Sequence, residues 1–493
     1  MATAIPDNTA PFEVKDVVRA TRGLRTGGLP HAHTVGVVTD SRRVRPGSLF
    51  VALRGERFDA HDFLEDVAAA GAGAAVIQRG ARAPDGLVVI EVEDTLVALG
   101  RLAALHRRRW AGRLVAVTGS AGKTGTKELT AAALEAALAA TGADETTVAR
   151  TAGNLNNRIG VPMTLFGLGP HTELAVVEIG TSEPGEIATL AEIAMPDVGV
   201  ITLIAAAHTE GLGDIDAVAV EKSALFRALG TDGVAVGNVD DARVRKALEE
   251  ASTPRRIGYG RAADASVRML GWTLEGLRTR ARYALTPQPG VAAPPGVDVR
   301  LQLLGEGAAS NAAAALAVVE ALGLPVLDAA RGLTEVAPTP GRMCATPGTR
   351  GVLVLDDTYN ANPRSMQVAF ETAAAVAAER GAPWVALLGD MRELGAESGA
   401  AHTEALRAAA AAGASRLVVC GPELGAAAAR LGSDGPQAVV CRDSVRCAED
   451  VERLVEPGAV ALVKGSRTTH MERVVEALVG RARGDAPQGE GAS

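Results

Sequence analysis

A glycine-rich loop, TGSAGKT at residues 118–124, stands between the apolar run at 114–118 and a helix-like stretch. Its glycines allow several backbone N–H groups to point at one phosphate, and the helix adds the positive end of its dipole. Lys123 can then reach the β- and γ-phosphates, and the Thr124 hydroxyl can bind Mg²⁺. Only Ser120 and Ala121 separate the first glycine from the GK pair, which predicts a shortened phosphate-binding loop. The alternative is an ordinary glycine turn before a helix.

Three ionisable residues follow in the same segment. Glu178 lies at the end of the apolar run 174–179, His208 follows the run at 198–204, and Lys222 stands fourteen residues beyond His208. Taken singly, they could be a helix cap, a core histidine and a solvated helix lysine. Beside a phosphate loop, an acid and a histidine at adjacent strand ends indicate Mg²⁺ ligands, since oxygen is the usual magnesium ligand and imidazole a less common one.

Two further polar loops could bind substrate. The string DDTYNANP, residues 356–363, follows an apolar strand, and its acid, phenol and amide groups suit a polar zwitterion or a ribose. The string GNLNN, residues 153–157, clusters three asparagines. Both could equally be turns, because Asn and Asp favour turns and helix caps.

The elements that must position these residues alternate between short apolar runs and helical stretches. Strands without polar alternation indicate a parallel sheet covered by helices on both faces. The phosphate loop opens a second such unit, and a hinge at 339–342 precedes a third. We therefore predict an α/β protein with domains at 1–111, 112–339 and 340–493, the middle one mainly parallel and the last Rossmann-like. The Pro/Gly-rich stretch 286–297 predicts a loop, and 1–15 and 481–493 are expected to fray.

Composition narrows the class of protein. The chain has 493 residues, 47% hydrophobic and 22% charged, which excludes an intrinsically disordered chain. Its net charge of −8 argues against sequence-independent nucleic-acid binding. No signal peptide and no long uncharged apolar stretch is evident, so we expect a soluble, cytoplasmic protein without membrane partners. We expect its substrates to be small molecules and the protein to be a monomer.

The cysteines do not form a disulfide framework by their spacing. The four of them are Cys344, Cys420, Cys441 and Cys447, all in the last third of the chain, and none belongs to a CxxC pair. We expect reduced and mostly buried thiols.

Taken together, these segments resemble the Mur ligase family, which builds the peptide of peptidoglycan. The resemblance covers nearly the whole chain in family order. It is carried by TDSRRVRPGSLFVALRGERFDAHDF at 39–63, VTGSAGKTGTKE at 117–128, TAGNLNNRIGVP at 151–162, VEIG at 177–180, HTEGLGD at 208–214, DDTYNANPRSM at 356–366, GDMRELG at 389–395 and VKGSR at 463–467. The string at 356–366 is the most diagnostic of them.

The resemblance implies roles by position. For ATP, the implied residues are Gly119, Ser120, Ala121, Gly122, Lys123, Thr124 and Gly125 at the phosphates, Asn311 at the adenine, Arg342 at the γ-phosphate, and Asp357. For the metal and catalysis, they are Thr124, Glu178, His208 and Lys222, the last as a carbamylated lysine, together with Lys123. For the substrates, they are Asp40, Ser41 and Arg42 at the uridine nucleotide, Asn154, Asn156 and Asn157 at the sugar-peptide, and Tyr359 and Asn360 at the dipeptide.

The activity that the resemblance implies is ATP- and Mg²⁺-dependent ligation of D-alanyl-D-alanine to a UDP-N-acetylmuramoyl tripeptide through an acyl phosphate. Two alternatives stay open. One is a Mur-type ligase that adds another amino acid. The other is a non-enzymatic P-loop module, which would be favoured by departures from the family pattern at Leu203, Ala205, Gly307 and Ala308.

Overall fold

The structure is a computed structural model of the whole chain. It describes residue 3 and residues 5–26, 33–55, 58–142, 147–207, 209–286, 296–431 and 437–480. Most of the predicted loop at 286–297, the C-terminal segment 481–493 and His208 lie outside the described residues. None of the described helices combines the length and apolar character needed to cross a bilayer.

The N-terminal region contains a small, mainly parallel sheet. Its elements are β1 (Pro11–Glu13), α1 (Val14–Thr21), β2 (Leu24–Thr26), β3 (His33–Val35), β4 (Val37–Val38), β5 (Leu49–Val51), α2 (Leu64–Ala69), β6 (Ala74–Gln78), β7 (Val89–Val92) and α3 (Thr95–Arg109). Within the described residues, the strand order is β2-β7-β6-β5-β4, with β2 antiparallel to β7, while β1 pairs with β3.

The expectation that residues 1–15 fray is wrong for the last five of them. Phe12 on β1 is only 1% exposed, and its ring meets that of Phe166 edge-on at a centroid distance of 6.0 Å. Burial of this one aromatic side chain anchors β1, and a largely polar sequence gives little warning of it.

The central region is built on a long sheet. Its elements are β8 (Arg113–Thr118), α4 (Lys123–Ala140), β9 (Thr147–Arg150), α5 (Gly160–Phe166), β10 (Thr172–Glu178), α6 (Glu186–Ala194), β11 (Val198–Ile201), α7 (Thr209–Leu212), α8 (Ile215–Arg227), β12 (Val234–Asn238), α9 (Ala242–Glu249), β13 (Arg255–Gly260), β14 (Val267–Leu274), β15 (Thr279–Leu285), β16 (Val297–Leu301), α10 (Gly305–Ala321) and α11 (Val326–Leu333).

The order of the described strands in this sheet is β16-β15-β14-β13-β12-β11-β8-β10-β9. From β9 to β14 the neighbours are parallel, whereas β14, β15 and β16 are antiparallel. Val115 and Val117 of β8 face one hydrophobic core, and Ala116 faces the other. Burial on both faces explains the uninterrupted apolar runs, and it confirms the predicted mainly parallel sheet.

The C-terminal region carries a third sheet. Its elements are β17 (Cys344–Pro347), β18 (Leu353–Asp357), α12 (Pro363–Arg380), β19 (Trp384–Gly389), α13 (Ser398–Ala411), β20 (Arg416–Cys420), α14 (Pro422–Leu431), β21 (Ala438–Cys441), α15 (Ser444–Leu454), β22 (Val460–Lys464) and α16 (Glu472–Val479). Among the described strands the order is β17-β18-β22-β19-β20-β21, parallel except for β17. The predicted α/β class is thereby confirmed.

Candidate active site

The phosphate loop lies where the structure joins β8 to α4. Gly119 and Gly122 have φ angles of +149° and +84°. A Cβ atom on Gly119 would stand 1.8 Å from the Thr202 Oγ1 atom, and one on Gly122 would stand 2.8 Å from the Asn311 Oδ1 atom. Glycine is therefore required at both positions, for backbone conformation and for space.

Neighbouring backbone fixes the shape of this loop. The Ser120 N–H donates to the Leu203 carbonyl at 2.8 Å, and the Ser120 hydroxyl donates to the Ala205 carbonyl at 2.9 Å. The Thr202 hydroxyl donates to the Ala121 carbonyl at 2.6 Å. Leu203 and Ala205 thus hold the loop through main-chain atoms, which explains why side chains that depart from the family pattern are tolerated there.

Lys123 begins α4 and folds back over the loop. Its ammonium donates to the Gly119 carbonyl at 2.7 Å. Burial lowers the pKa of Lys123 below its usual range, the Arg342 charge lowers it further, and the Glu178 carboxylate opposes both. The Lys123 side-chain nitrogen is thus held against the loop, on the side where a phosphate would bind.

Glu178 ends β10, directly beside β8, and is 2% exposed. Its carboxylate accepts hydrogen bonds from the Thr124 hydroxyl and from the Asn156 side-chain amide, both at 2.8 Å. Its own N–H donates to the Thr151 hydroxyl at 2.9 Å. The structure therefore brings together a carboxylate and a hydroxyl whose oxygen atoms are hard donors that fit Mg²⁺, while the Asn156 amide orients the carboxylate.

Lys222 lies on α8 and is 1% exposed. Burial lowers its pKa to about 7, the Lys123 charge lowers it too, and the Glu221 carboxylate raises it. Much of this lysine is therefore neutral near pH 7, so the surface-helix interpretation of Lys222 does not hold.

A second cluster surrounds the end of β18. The Lys464 ammonium, 2% exposed, donates to the Asp357 carboxylate at 2.6 Å and to the Asn360 carbonyl at 2.8 Å. The other Asp357 oxygen accepts from the Met343 N–H at 3.1 Å. These bonds tie the strand ends of β18 and β22 to the segment that enters from the central region.

Arg342 and Tyr359 stack at this same loop. The guanidinium carbon lies 4.0 Å from the centre of the tyrosine ring, which is a cation–π contact. Because Arg342 also influences the pKa of Lys123, the tyrosine positions a cation close to the phosphate loop.

A direct bond joins the two clusters. The Asn362 side-chain amide donates to the Ser120 carbonyl at 3.1 Å. Asn362 also caps α12, since its side-chain oxygen accepts from the Ser365 N–H at 2.9 Å. One asparagine therefore fixes the start of α12 against the phosphate loop. Asn311 on α10 lies on another side of that loop and accepts from the Thr126 hydroxyl at 3.1 Å.

The three clustered asparagines are used differently. Asn156 reaches Glu178, as described above, whereas the Asn157 side chain accepts from the Gly160 N–H at 2.8 Å and so begins α5. Asn154 accepts from the Thr3 hydroxyl at 2.7 Å. Of these residues the turn interpretation fits Asn157, and Asn156 belongs to the cluster around Glu178.

Of the N-terminal candidates, only Asp40 lines a different cavity, of about 190 Å³, whose wall also includes Arg43 and Met163 of α5; Ser41 and Arg42 lie on the adjoining turn. The Arg42 guanidinium donates to Asp40 at 2.9 and 2.7 Å, which lowers the pKa of that carboxyl below its usual range. Ser41 begins the short turn that Asp40 caps. The cavity borders the central region through Met163.

Sequence reasoning missed Lys464, Asn362 and Lys127 as individual site residues. Lys464 ends a buried strand, where a charged side chain signals a ligand or an ion pair. Lys127 is fully buried on α4, and its ammonium donates to the Thr151 carbonyl at 2.7 Å, so it supports the residue that holds Glu178. No local pattern distinguishes Lys127 from a solvated helix lysine.

Comparison with known proteins agrees with this geometry. Residues 33–107 match the family model described as "Mur ligase family, catalytic domain", residues 117–319 match "Mur ligase middle domain", and residues 341–467 match "Mur ligase, glutamate ligase domain". The three matches follow one another in chain order.

The chain is 37% identical over 450 residues to the UDP-N-acetylmuramoyl-tripeptide–D-alanyl-D-alanine ligase of Escherichia coli, covering 90% of this chain and 93% of that protein. It resembles a crystal structure of MurF from Acinetobacter baumannii with a TM-score of 0.85 and 31% identity, covering 96% of this chain and all of that one. For MurF ligase from Thermotoga maritima in complex with ADP, the TM-score is 0.76 at 28% identity, with 90% and 97% covered. The chain belongs to the Mur ligase family.

Proposed function

We propose that this protein is the ATP-dependent ligase that joins D-alanyl-D-alanine to a UDP-N-acetylmuramoyl tripeptide. The observation that carries the proposal is the 3.1 Å hydrogen bond from Asn362 to the Ser120 carbonyl. It sets the loop at 356–362 directly against a phosphate loop. Curated relatives that share this architecture carry the name of that ligase.

The reaction needs two steps at one place. The terminal carboxylate of the tripeptide attacks the γ-phosphorus of ATP, which releases ADP and leaves an acyl phosphate. The free amine of D-alanyl-D-alanine then attacks the acyl carbon, so that an amide bond forms and inorganic phosphate leaves. Activation is required because a carboxylate is otherwise inert to amines. The backbone N–H groups of the loop and Lys123 stabilise the charge on the transferred phosphoryl group.

A magnesium site at Thr124 and Glu178 fits the oxygen donors that the structure brings within 2.8 Å of each other. Mg²⁺ bound there would neutralise phosphate charge. His208 and Lys222 complete the proposed ligand set, with Lys222 acting as a carbamate. Its lowered pKa, about 7, supports this role because only the neutral amine reacts with CO₂.

The second substrate would enter on the side of the C-terminal sheet. Asn360 is exposed at the carboxyl end of β18, where ligands bind in open α/β sheets. Asp357 and Lys464 hold this loop in place, and Arg342, stacked on Tyr359, would contact the γ-phosphate. Closure of the two clusters over the acyl phosphate would exclude water, which would otherwise hydrolyse it.

The nucleotide substrate would be held at the other end. The cavity that Asp40 lines, next to the turn of Ser41 and Arg42, would take the uridine nucleotide, and its wall includes Met163 of α5, the helix that follows the asparagine turn at 154–157. An extended sugar-peptide could then run from this cavity to the phosphate loop, with Asn156 beside Glu178.

Phosphate release tests the proposal. We expect release from ATP only when both the tripeptide nucleotide and D-alanyl-D-alanine are present, with one pentapeptide nucleotide formed per ADP. ATP binding without any product under these conditions would instead support the non-enzymatic module.

A further inference from the structure

The C-terminal sheet and the helix packed on it bring together three cysteines from three separate elements. Cys420 ends β20, Cys441 ends β21, and Cys447 lies in the first turns of α15. Their sulfur atoms all lie within 4.8 Å of one another. All three side chains are buried, with exposures of 2%, 5% and 0%.

The backbone explains this convergence. Cys420 and Cys441 are paired in register on adjacent parallel strands, so their side chains leave the same face of the sheet. The α15 helix packs on that face, and Cys447 shares one hydrophobic core cluster with the other two cysteines. The three thiols therefore converge on one point from three separate elements.

Packing alone is a poor explanation for the cluster. Buried cysteine can serve as a small apolar side chain. However, the chain has only four cysteines in 493 residues, while the other buried members of this core cluster are mostly valine, leucine and alanine. Three of the four meeting at one point indicates that the thiol chemistry itself is used.

We propose that Cys420, Cys441 and Cys447 form a binding site for a thiophilic d¹⁰ metal cation such as Zn²⁺. A metal bonded to three sulfurs at about 2.3 Å holds them roughly 3.7–4.0 Å apart. The observed separations need to close by about 1 Å at most. On binding, three metal–sulfur bonds replace three S–H bonds, three protons leave to solvent, and the oxidation state of the metal does not change.

Charge and access favour the site as well. Cys447 lies near the N-terminus of α15, whose dipole stabilises a thiolate. β21 is the edge of the sheet among the described strands, and Val439, whose side chain leaves the same face as that of Cys441, is 43% exposed, so a metal ion has a short path to Cys441. A water molecule or a small ligand would fill the fourth position of a tetrahedral ion.

Cadmium is a suitable probe, because its thiolate complexes absorb in the near ultraviolet. We expect the reduced full-length protein to bind one Cd²⁺ per chain with this absorption. Single substitutions Cys420→Ala, Cys441→Ala and Cys447→Ala should each weaken binding by more than about 100-fold, more than the loss of a hydrogen-bonding partner of a metal ligand costs. The matched control is Cys344→Ala, on β17 at the opposite edge of the same sheet, which should bind as the wild type does.

A second measurement requires no variant. Bound Cd²⁺ should protect three of the four thiols of the native protein from alkylation, as read by mass spectrometry, and leave Cys344 reactive. The proposal is overturned if the wild type shows no thiolate absorption, if the absorption survives in Cys447→Ala or is lost in Cys344→Ala, or if two of the three sulfurs form a disulfide and no metal binds.

Discussion

Replacing Lys222 by methionine should abolish ligation and at the same time stabilise the unliganded protein. The lysine is 1% exposed, and its pKa falls from 10.5 to about 7 in the folded chain. Between these two values the unfolded chain holds a proton that the folded chain does not. The free energy of unfolding of the wild type therefore rises with pH across this window, by about 1.4 kcal/mol per pH unit.

Burial of the protonated lysine lowers the free energy of unfolding by roughly 5 kcal/mol below pH 7. Above pH 10.5 the lysine is neutral in both states and this effect disappears. Methionine fills a similar volume without a charge. The stability advantage of Lys222→Met should therefore shrink by about 1.4 kcal/mol per pH unit as the pH rises from 7.5 to 9.5.

Urea unfolding in CO₂-depleted, magnesium-free buffer measures this difference. The matched control is Lys246→Met on α9, whose side chain is 74% exposed and which should change neither stability nor ligation. A constant difference between Lys222→Met and wild type at all these pH values would refute the reasoning about burial. Full ligase activity of Lys222→Met would refute the proposed role of Lys222. In the variant Lys222→Ala, formate should partly restore activity, because its oxygen atoms can occupy the positions of the missing carbamate oxygens.

Three further predictions concern the two clusters. Lys123→Ala should lower kcat by about 100-fold or more while circular dichroism stays unchanged, and near-normal turnover would rule out the phosphate-loop role. Lys464→Met should destabilise the protein by about 3 kcal/mol in urea unfolding, because Asp357 is left without its partner; an unchanged midpoint would show that the ion pair contributes nothing. Asn360→Ala should lower kcat/KM for D-alanyl-D-alanine, which corresponds to a loss of about 1–3 kcal/mol of transition-state stabilisation, and should leave ATP binding intact. An equal fall in kcat/KM for ATP would show that the loop does not serve the dipeptide specifically.

Local patterns account for the part of the fold and site that the sequence predicts well. The phosphate loop is one continuous segment between a strand and a helix, so its glycines and Lys123 signal it directly. The mainly parallel sheet is predicted equally well, because each buried strand is a short apolar run that can be seen locally in the sequence. The apolar runs do not predict the antiparallel end formed by β14, β15 and β16. The alternation of buried and exposed side chains on β16 is the pattern that could have indicated it.

Contacts between distant segments account for most of what the sequence did not predict. Lys464 meets Asp357 across 107 positions, and Asn362 meets Ser120 across 242. Such pairs depend on which strands become neighbours, and no local pattern encodes that order. The convergence of Cys420, Cys441 and Cys447 has the same origin, since it follows from the pairing of β20 with β21 and the docking of α15.

The identity of the accepted amine tests the central claim most directly. The purified enzyme would be given ATP, Mg²⁺ and the tripeptide nucleotide with one amine at a time, namely D-alanyl-D-alanine, D-alanine, L-lysine and D-glutamate, and the nucleotide product would be weighed by mass spectrometry. We expect a pentapeptide nucleotide with D-alanyl-D-alanine and no adduct with the other three. Ligation of a single amino acid in preference to the dipeptide would contradict it.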